Sequence, residues 1–344
     1  MRQKTKMRRP NCSNVSNLDE FDLPLKALEG NWLGDNSLKS VAVWHPHGHE
    51  TSGLPLLVCL ASYLNSGPSL TGWRNFGESI PERLDRLFES GELAPCVVAF
   101  VDSYNRLGGT QFVNSSVIGN WSSALADDLV PALEEKYGCG GEGRRGLFGH
   151  SSGGYGALYN LAKRPDIWAA AGSHAGDCGF DFVYRGELPK ALRVLGFYEF
   201  NAQAFLDAFW SQEKPKGEQI SALMMLAMAA SYDPVGREGA PLDVRLPVTH
   251  DTCEFINEHW QKWLAFDPLT FVPDAMDAFK QAKAVYVDCG RQDEYNILYG
   301  TRRIVQMMEE SNVNGRFEEF DGGHGTIGPR YEVSVPWLVK ALSE

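Results

Sequence analysis

The chain has 344 residues, 43% of them hydrophobic and 22% charged, with a formal net charge of −12. That size and apolar content can fill a large core, as a single α/β unit with insertions does. No apolar run approaches the roughly 20 residues that span a bilayer, and the acidic balance would repel a nucleic-acid backbone.

Arg2, Lys4, Lys6, Arg8 and Arg9 open the chain, but Pro10, Asn11 and Cys12 follow where a secretory signal needs an apolar stretch. Residues 1–20 are therefore expected to be a basic flexible arm. The seven cysteines are scattered and form no C-x-x-C pair, which predicts free thiols in a reducing compartment and a cytoplasmic location.

Beyond the arm, short apolar runs alternate with amphipathic stretches, the pattern of a mostly parallel sheet with crossover helices. Strands are expected at Ser40–Trp44, Pro55–Ser62, Cys96–Val101, Arg145–Gly149 and Trp168–Gly172. Helices are expected at Ile80–Leu87, at Trp121–Lys136 with a kink or early end at Pro131, and at Ser152–Ala162. The alternation stops after His174. A mostly helical insertion over residues 176–282 carries Phe180, Phe182, Tyr184 and a methionine segment, Met224, Met225 and Met228. The methionines read first as core filler. The sheet resumes at Ala284–Asp288 and Arg316–Phe320, with helices over Tyr295–Met308 and Tyr331–Leu342. The core is thus residues 21–175 and 283–344, and the insertion is expected to be a lid that covers the site and sets substrate choice.

Gly149-His150-Ser151-Ser152-Gly153 matches G-x-S-x-G. A strand before it and a small-residue helix start after it are the context of a nucleophile elbow, which makes Ser151 the candidate nucleophile. Ser152 lacks a glycine two residues before it. A serine hydroxyl needs a base, and in this fold the order is serine, acid, histidine. His324 follows the last strand, in Gly322-Gly323-His324-Gly325. The acid belongs after the preceding strand, where Asp288, Asp293 and Glu294 compete. Asp293, past the turn glycine, is best placed to reach back, and Asp288 reads as a strand-end cap. The oxyanion hole calls for the N–H of Ser152 and one from the loop after Pro55–Ala61, where Tyr63 is the first choice and Ser62 the next. Gly108-Gly109-Thr110-Gln111 is either an ordinary loop or a pocket rim, with Gln111 and Tyr184 the candidate substrate contacts. His45-Pro46-His47-Gly48-His49 suggests a metal set, but Pro46 and Gly48 break the strand that would align the rings, so no metal or other cofactor is expected.

The elbow with its flanks, Gly149 to Leu158, resembles the Putative esterase family of α/β-hydrolases. So do Leu54-Pro55-Leu56-Leu57, the run Gly109 to Ser115, Cys289-Gly290-Arg291-Gln292-Asp293, and Gly323-His324. That family includes esterase D, enterochelin esterase, feruloyl esterases and mycolyltransferases. The resemblance implies an α/β-hydrolase fold and a serine esterase acting on a small-molecule ester. It carries the triad onto Ser151, Asp293 and His324 and the oxyanion donors onto Ser152 and Tyr63. Ala61-Ser62 departs from the family's His-Gly, and the long insertion departs from esterase D. An acyltransferase or thioesterase with the same triad is the alternative, and a non-catalytic binding protein of this fold is the remote one. The sequence specifies no oligomeric state.

Overall fold

A computed structural model describes residues 18–74, 77–235, 242 and 244–344 of the chain. Ten strands are present among them: β1 Leu18–Pro24, β2 Leu38–Trp44, β3 Leu56–Leu60, β4 Val97–Val101, β5 Asn114–Ser115, β6 Gly119–Asn120, β7 Arg145–His150, β8 Ala170–His174, β9 Ala284–Gly290 and β10 Gly315–Phe320. Eight of them form one sheet in the order β1-β2-β4-β3-β7-β8-β9-β10, and β5 with β6 makes a small separate hairpin. β1, β2 and β4 pair antiparallel; from β4 to β10 the sheet is parallel. β3 (Leu-Leu-Val-Cys-Leu) and β4 (Val-Val-Ala-Phe-Val) are buried at every position. Continuous apolar runs are what strands covered on both faces require.

The element order matches the expectation, with two differences. β1 takes in Leu18, Asp19 and Glu20, which the sequence reading assigned to the arm; the rest of the arm lies outside the described residues. Leu18, Phe21 and Leu23 are half-buried and Glu20, Asp22 and Pro24 exposed, a period-2 edge strand whose charges and terminal proline suit a sheet margin. The stretch before Tyr137 is not one α-helix. A π-helical segment, Ala124–Leu129, precedes a fresh α-helix, Val130–Tyr137, with Pro131 in its first turn. There the missing proline N–H costs nothing.

The strand order positions the chemistry. β3 and β7 are neighbours, with Leu60 opposite Gly149, so the loops that follow them lie side by side. β8, β9 and β10 continue outward from β7. Loops at the carboxyl ends of adjacent parallel strands form the crevice where such sheets bind ligands.

The insertion between β8 and β9 contains seven short α-helices among its described residues. It is fastened to the elbow helix, Ser152–Lys163, by aromatic packing. The Tyr155 ring lies about 6.1 Å from those of Phe180, Tyr232 and Phe271, and its hydroxyl donates to the Phe266 carbonyl at 2.9 Å. Asp267 accepts the backbone N–H groups of Gly179 and Phe180 at 2.9 and 2.6 Å, tying the two ends of the excursion together.

Candidate active site

Ser151 sits between β7 and the elbow helix with φ 56° and ψ −122°, a left-handed backbone that side chains rarely adopt. The turn tolerates no bulk on either flank. A Cβ at Gly149 would lie 2.5 Å from the Leu60 carbonyl oxygen, and one at Gly153 only 2.0 Å from the same atom. The two glycines of the motif are therefore demanded by β3 pressing against the elbow. The Ser151 N–H donates to the His174 carbonyl at 2.9 Å, which fixes its backbone to β8.

His324 and Asp293 meet as expected. Nδ1 of His324 lies 2.7 Å from Oδ2 of Asp293, whose side chain is fully buried while that of His324 is 14% exposed. A carboxylate only accepts, so Nδ1 carries the proton and Nε2 is left as the basic nitrogen. The other Asp293 oxygen accepts the N–H groups of Tyr295 and Ile297 at 3.0 and 3.3 Å, so the helix start holds the acid in place. The imidazole is flanked by the rings of His150 at 4.5 Å and Tyr295 at 4.8 Å.

The competing acids have other partners. Asp288 is buried within β9 and holds Nδ1 of His174 at 2.8 Å. Glu294 accepts the backbone N–H of His324 at 2.7 Å, which holds its carboxyl below the usual range. It thereby anchors the histidine loop.

Ser151, Ser152, His324, Ser62 and Tyr63 open onto one pocket of about 240 Å³. Leu64, next to Tyr63, has φ 63° and is held there by its N–H bond to the Gly108 carbonyl at 2.9 Å. Tyr63 donates its hydroxyl to the Leu107 carbonyl at 2.8 Å. A Cβ at Gly108, where φ is +87°, would come within 2.8 Å of the Tyr63 hydroxyl oxygen. Gly108-Gly109 is thus the backing of the Tyr63 loop and not a pocket rim. Gln111 is likewise not a substrate contact. It is fully buried behind the elbow, and its Nε2 donates to the Ser152 hydroxyl at 2.7 Å.

The insertion supplies the facing wall. Ile220, Met224 and Met228, one face of the helix Gly217–Tyr232, line the pocket together with Val183 and Tyr184. Of the three methionines only Met225 is core filler away from the pocket; it is fully buried. Tyr184 is at the pocket as expected. Phe180 is fully buried against Tyr184, and Phe182 is exposed and packs on Tyr299.

One lining residue carried no sequence signal. Asp177 follows β8, is 6% exposed, and accepts from Ser151 Oγ at 3.4 Å through Oδ1 and from the Tyr184 hydroxyl at 2.9 Å through Oδ2. Burial pushes its carboxyl up, against the downward pull of Tyr184, His324 and Ser151. His150 also lines the pocket. Burial, then the neighbouring His324 and His174, push it down to about 3, so it is neutral at physiological pH.

The histidines of His45-Pro46-His47-Gly48-His49 do not converge. His45 lies 3.5 Å from Asp19, and His49 packs edge-on against Phe88. Among the described residues no group of three His, Cys, Asp or Glu side chains is set to hold a metal ion, and no helix is long and apolar enough to cross a membrane.

A protein-family model described as Putative esterase matches residues 37–327. The chain belongs to the Putative esterase family. It is a carboxylic-ester hydrolase with an α/β-hydrolase fold. No curated protein matches the chain. Among solved structures it is similar to a ferulic acid esterase, at 16% identity and TM-score 0.62, over 95% of this chain and 99% of that one. It is also similar to the fluorophosphonate-binding serine hydrolase F of Staphylococcus aureus, at 13% identity and TM-score 0.57, over 95% and 99%. An S-formylglutathione hydrolase from Agrobacterium tumefaciens matches at 14% identity and TM-score 0.55, over 98% and 99%. At these identities the likeness is one of fold.

Proposed function

We propose that Ser151 is the nucleophile of this esterase, His324 its general base and Asp293 the acid that orients the base. The observation carrying this reading is the 2.7 Å contact between His324 and Asp293 at the mouth of the pocket that also holds Ser151. His324 Nε2 takes the Ser151 proton as Oγ attacks the ester carbonyl. Asp293 steadies the imidazolium that forms, and the same proton then passes to the leaving alcohol. The backbone N–H groups of Ser152 and Tyr63 receive the oxyanion. Ser152 opens a twelve-residue helix, whose positive N-terminal end favours negative charge there. Water, deprotonated by His324, releases the acid.

The insertion acts as a lid over this pocket and sets the acyl preference through Met224, Met228 and Tyr184. A small-molecule ester and a cytoplasmic location complete the reading; the location rests on the cysteines, five of which are buried and free among the described residues. The test is labelling with a fluorophosphonate probe, with the modified peptide mapped by mass spectrometry. The label is expected on Ser151, and Ser151→Ala is expected to lose labelling and turnover by a factor on the order of 10⁶. Label on Ser152, or undiminished turnover in Ser151→Ala, would refute the assignment.

A further inference from the structure

The pocket around Ser151 carries two carboxyl groups, those of Asp177 and Glu187, and several hydroxyls. Among its described lining residues there is no lysine or arginine. The Tyr63 and Tyr184 hydroxyls and the Asn65 amide donate inward, to Leu107, Asp177 and Ser62. Against them stand the carboxyl groups of Asp177 and Glu187. Glu187 is 14% exposed and shares its charge with Lys190 at 2.6 Å on the outer side. Asp177 faces only the pocket and its tyrosine.

Asp177 is also close to the chemistry. Its Oδ1 is 3.4 Å from Ser151 Oγ. When an acyl group sits on Oγ, a substituent on the first or second carbon beyond its carbonyl is three or four bonds away, each roughly 1.5 Å. That is the span over which it can meet an acceptor at this distance. A purely apolar acyl group would leave the carboxyl desolvated with only Tyr184 for company, which costs free energy. An acyl group bearing an N–H or O–H donor would satisfy it.

We propose that Asp177 is a specificity-determining residue. Its carboxyl group binds an amino or hydroxyl substituent on the first or second carbon beyond the acyl carbonyl, so the preferred substrates are esters of amino- or hydroxy-acids. This rests on Ser151 being the nucleophile. The requirement comes from Asp177 Oδ1, which loses its Ser151 donor once Oγ is acylated: a site built to hydrogen-bond a substrate donor rejects the analogue that lacks it more strongly than an apolar pocket rejects a missing methylene.

The experiment compares kcat/KM for the 4-nitrophenyl esters of 2-aminobutyrate, 2-hydroxybutyrate, butyrate and succinate. Each value is divided by the rate constant of the same ester with hydroxide. The wild-type order expected is amino and hydroxy at least ten-fold above butyrate, with the anionic succinate ester ten-fold below it; this order needs no variant. In Asp177→Asn the amino-to-butyrate ratio is expected to fall at least ten-fold. Equal handling of all four esters by the wild type would overturn the proposal. So would a uniform loss on every ester in Asp177→Asn with the ratio kept, the signature of a merely structural residue. Fluorophosphonate labelling of the same preparations separates the two readings. Label on Ser151 with no ester preference sinks Asp177 alone, whereas failure to label Ser151 removes the nucleophile assignment and this inference with it.

Discussion

Asp288 and Asp293 lie five positions apart, and each holds a histidine Nδ1 through one carboxylate oxygen, at 2.8 and 2.7 Å. Behind Asp288 the arrangement is completed by a serine: Nε2 of His174 lies 2.8 Å from the hydroxyl of Ser334. The molecule thus contains a second Ser-His-Asp constellation, with all three residues at 0% exposure. Its carboxylate is further tied to Tyr286 at 3.0 Å and Arg330 at 2.7 Å. Both His174 nitrogens are occupied, and nothing can approach Ser334. At the Asp293 site one imidazole nitrogen is held and the histidine edges onto the pocket. Residue types are the same in the two places, and the Asp–His distances nearly so. Access to a cavity, and the positive φ of Ser151, distinguish the Asp293 site from the buried clasp across β8, β9 and the last helix.

Asparagine substitutions should separate the two constellations most sharply. Asp293→Asn should lower kcat on the order of 10⁴ by losing the imidazole's orientation, with little change in thermal unfolding. Asp288→Asn should keep the ester kinetics of whatever protein folds but cost about 3 to 5 kcal/mol, because Arg330 loses its buried counter-charge. Steady-state kinetics and denaturant unfolding on both variants check this; a kinetic collapse in Asp288→Asn would erase the distinction.

Acid should sharpen the same contrast. Burial alone would raise the Asp288 carboxyl, but His174 and Arg330 hold it below the usual carboxylate range. A depressed folded-state value means its stabilisation is complete above the unfolded value of about 3.9 and lost as pH falls through the lower folded value. The stability gap between wild type and Asp288→Asn should therefore narrow below about pH 4, as urea midpoints across pH would show.

Milder effects are expected from the serines. Ser334→Ala should leave turnover intact and cost about 1 to 3 kcal/mol, the penalty of stranding a buried partner. Ser152→Ala should cost a similar amount, since Gln111 loses its acceptor, with near-normal turnover because the backbone N–H remains. A large kinetic loss there would show that the Ser152 side chain takes part. The smallest effect should come from Met224→Ala, a shift in acyl chain-length preference within about ten-fold, read from a series of 4-nitrophenyl esters with the acetate ester nearly unaffected.

Much of this was legible before any coordinates. Buried parallel strands write continuous apolar runs, and G-x-S-x-G with its flanks locates the elbow. Strand order then leaves Asp293 and His324 as the pair that can meet. The misses have physical causes. β1 begins at Leu18, only a few residues beyond the basic run, so its first three residues read as part of the solvated arm. Gln111 is polar in a glycine-rich loop, which suggests a rim; only the packing shows Gly108 filling the space behind Tyr63 and Gln111 turned toward Ser152. Asp177 stands in no motif, and its role depends on β8 ending beside β7, a tertiary fact. Ser334 and His174 are 160 residues apart, and no local pattern could have paired them.

The path of the insertion also bears on how the chain is made. β8 pairs with β7 on one side and β9 on the other, yet more than a hundred residues separate it from β9. At roughly 5 to 20 residues per second, a ribosome needs about 5 to 20 s to deliver the strand that covers β8. During that interval a wholly buried strand, Ala170–His174, has an open edge able to pair with a neighbouring nascent chain. Slowing translation within the insertion should therefore raise aggregation during synthesis, with no change in the stability of the finished protein.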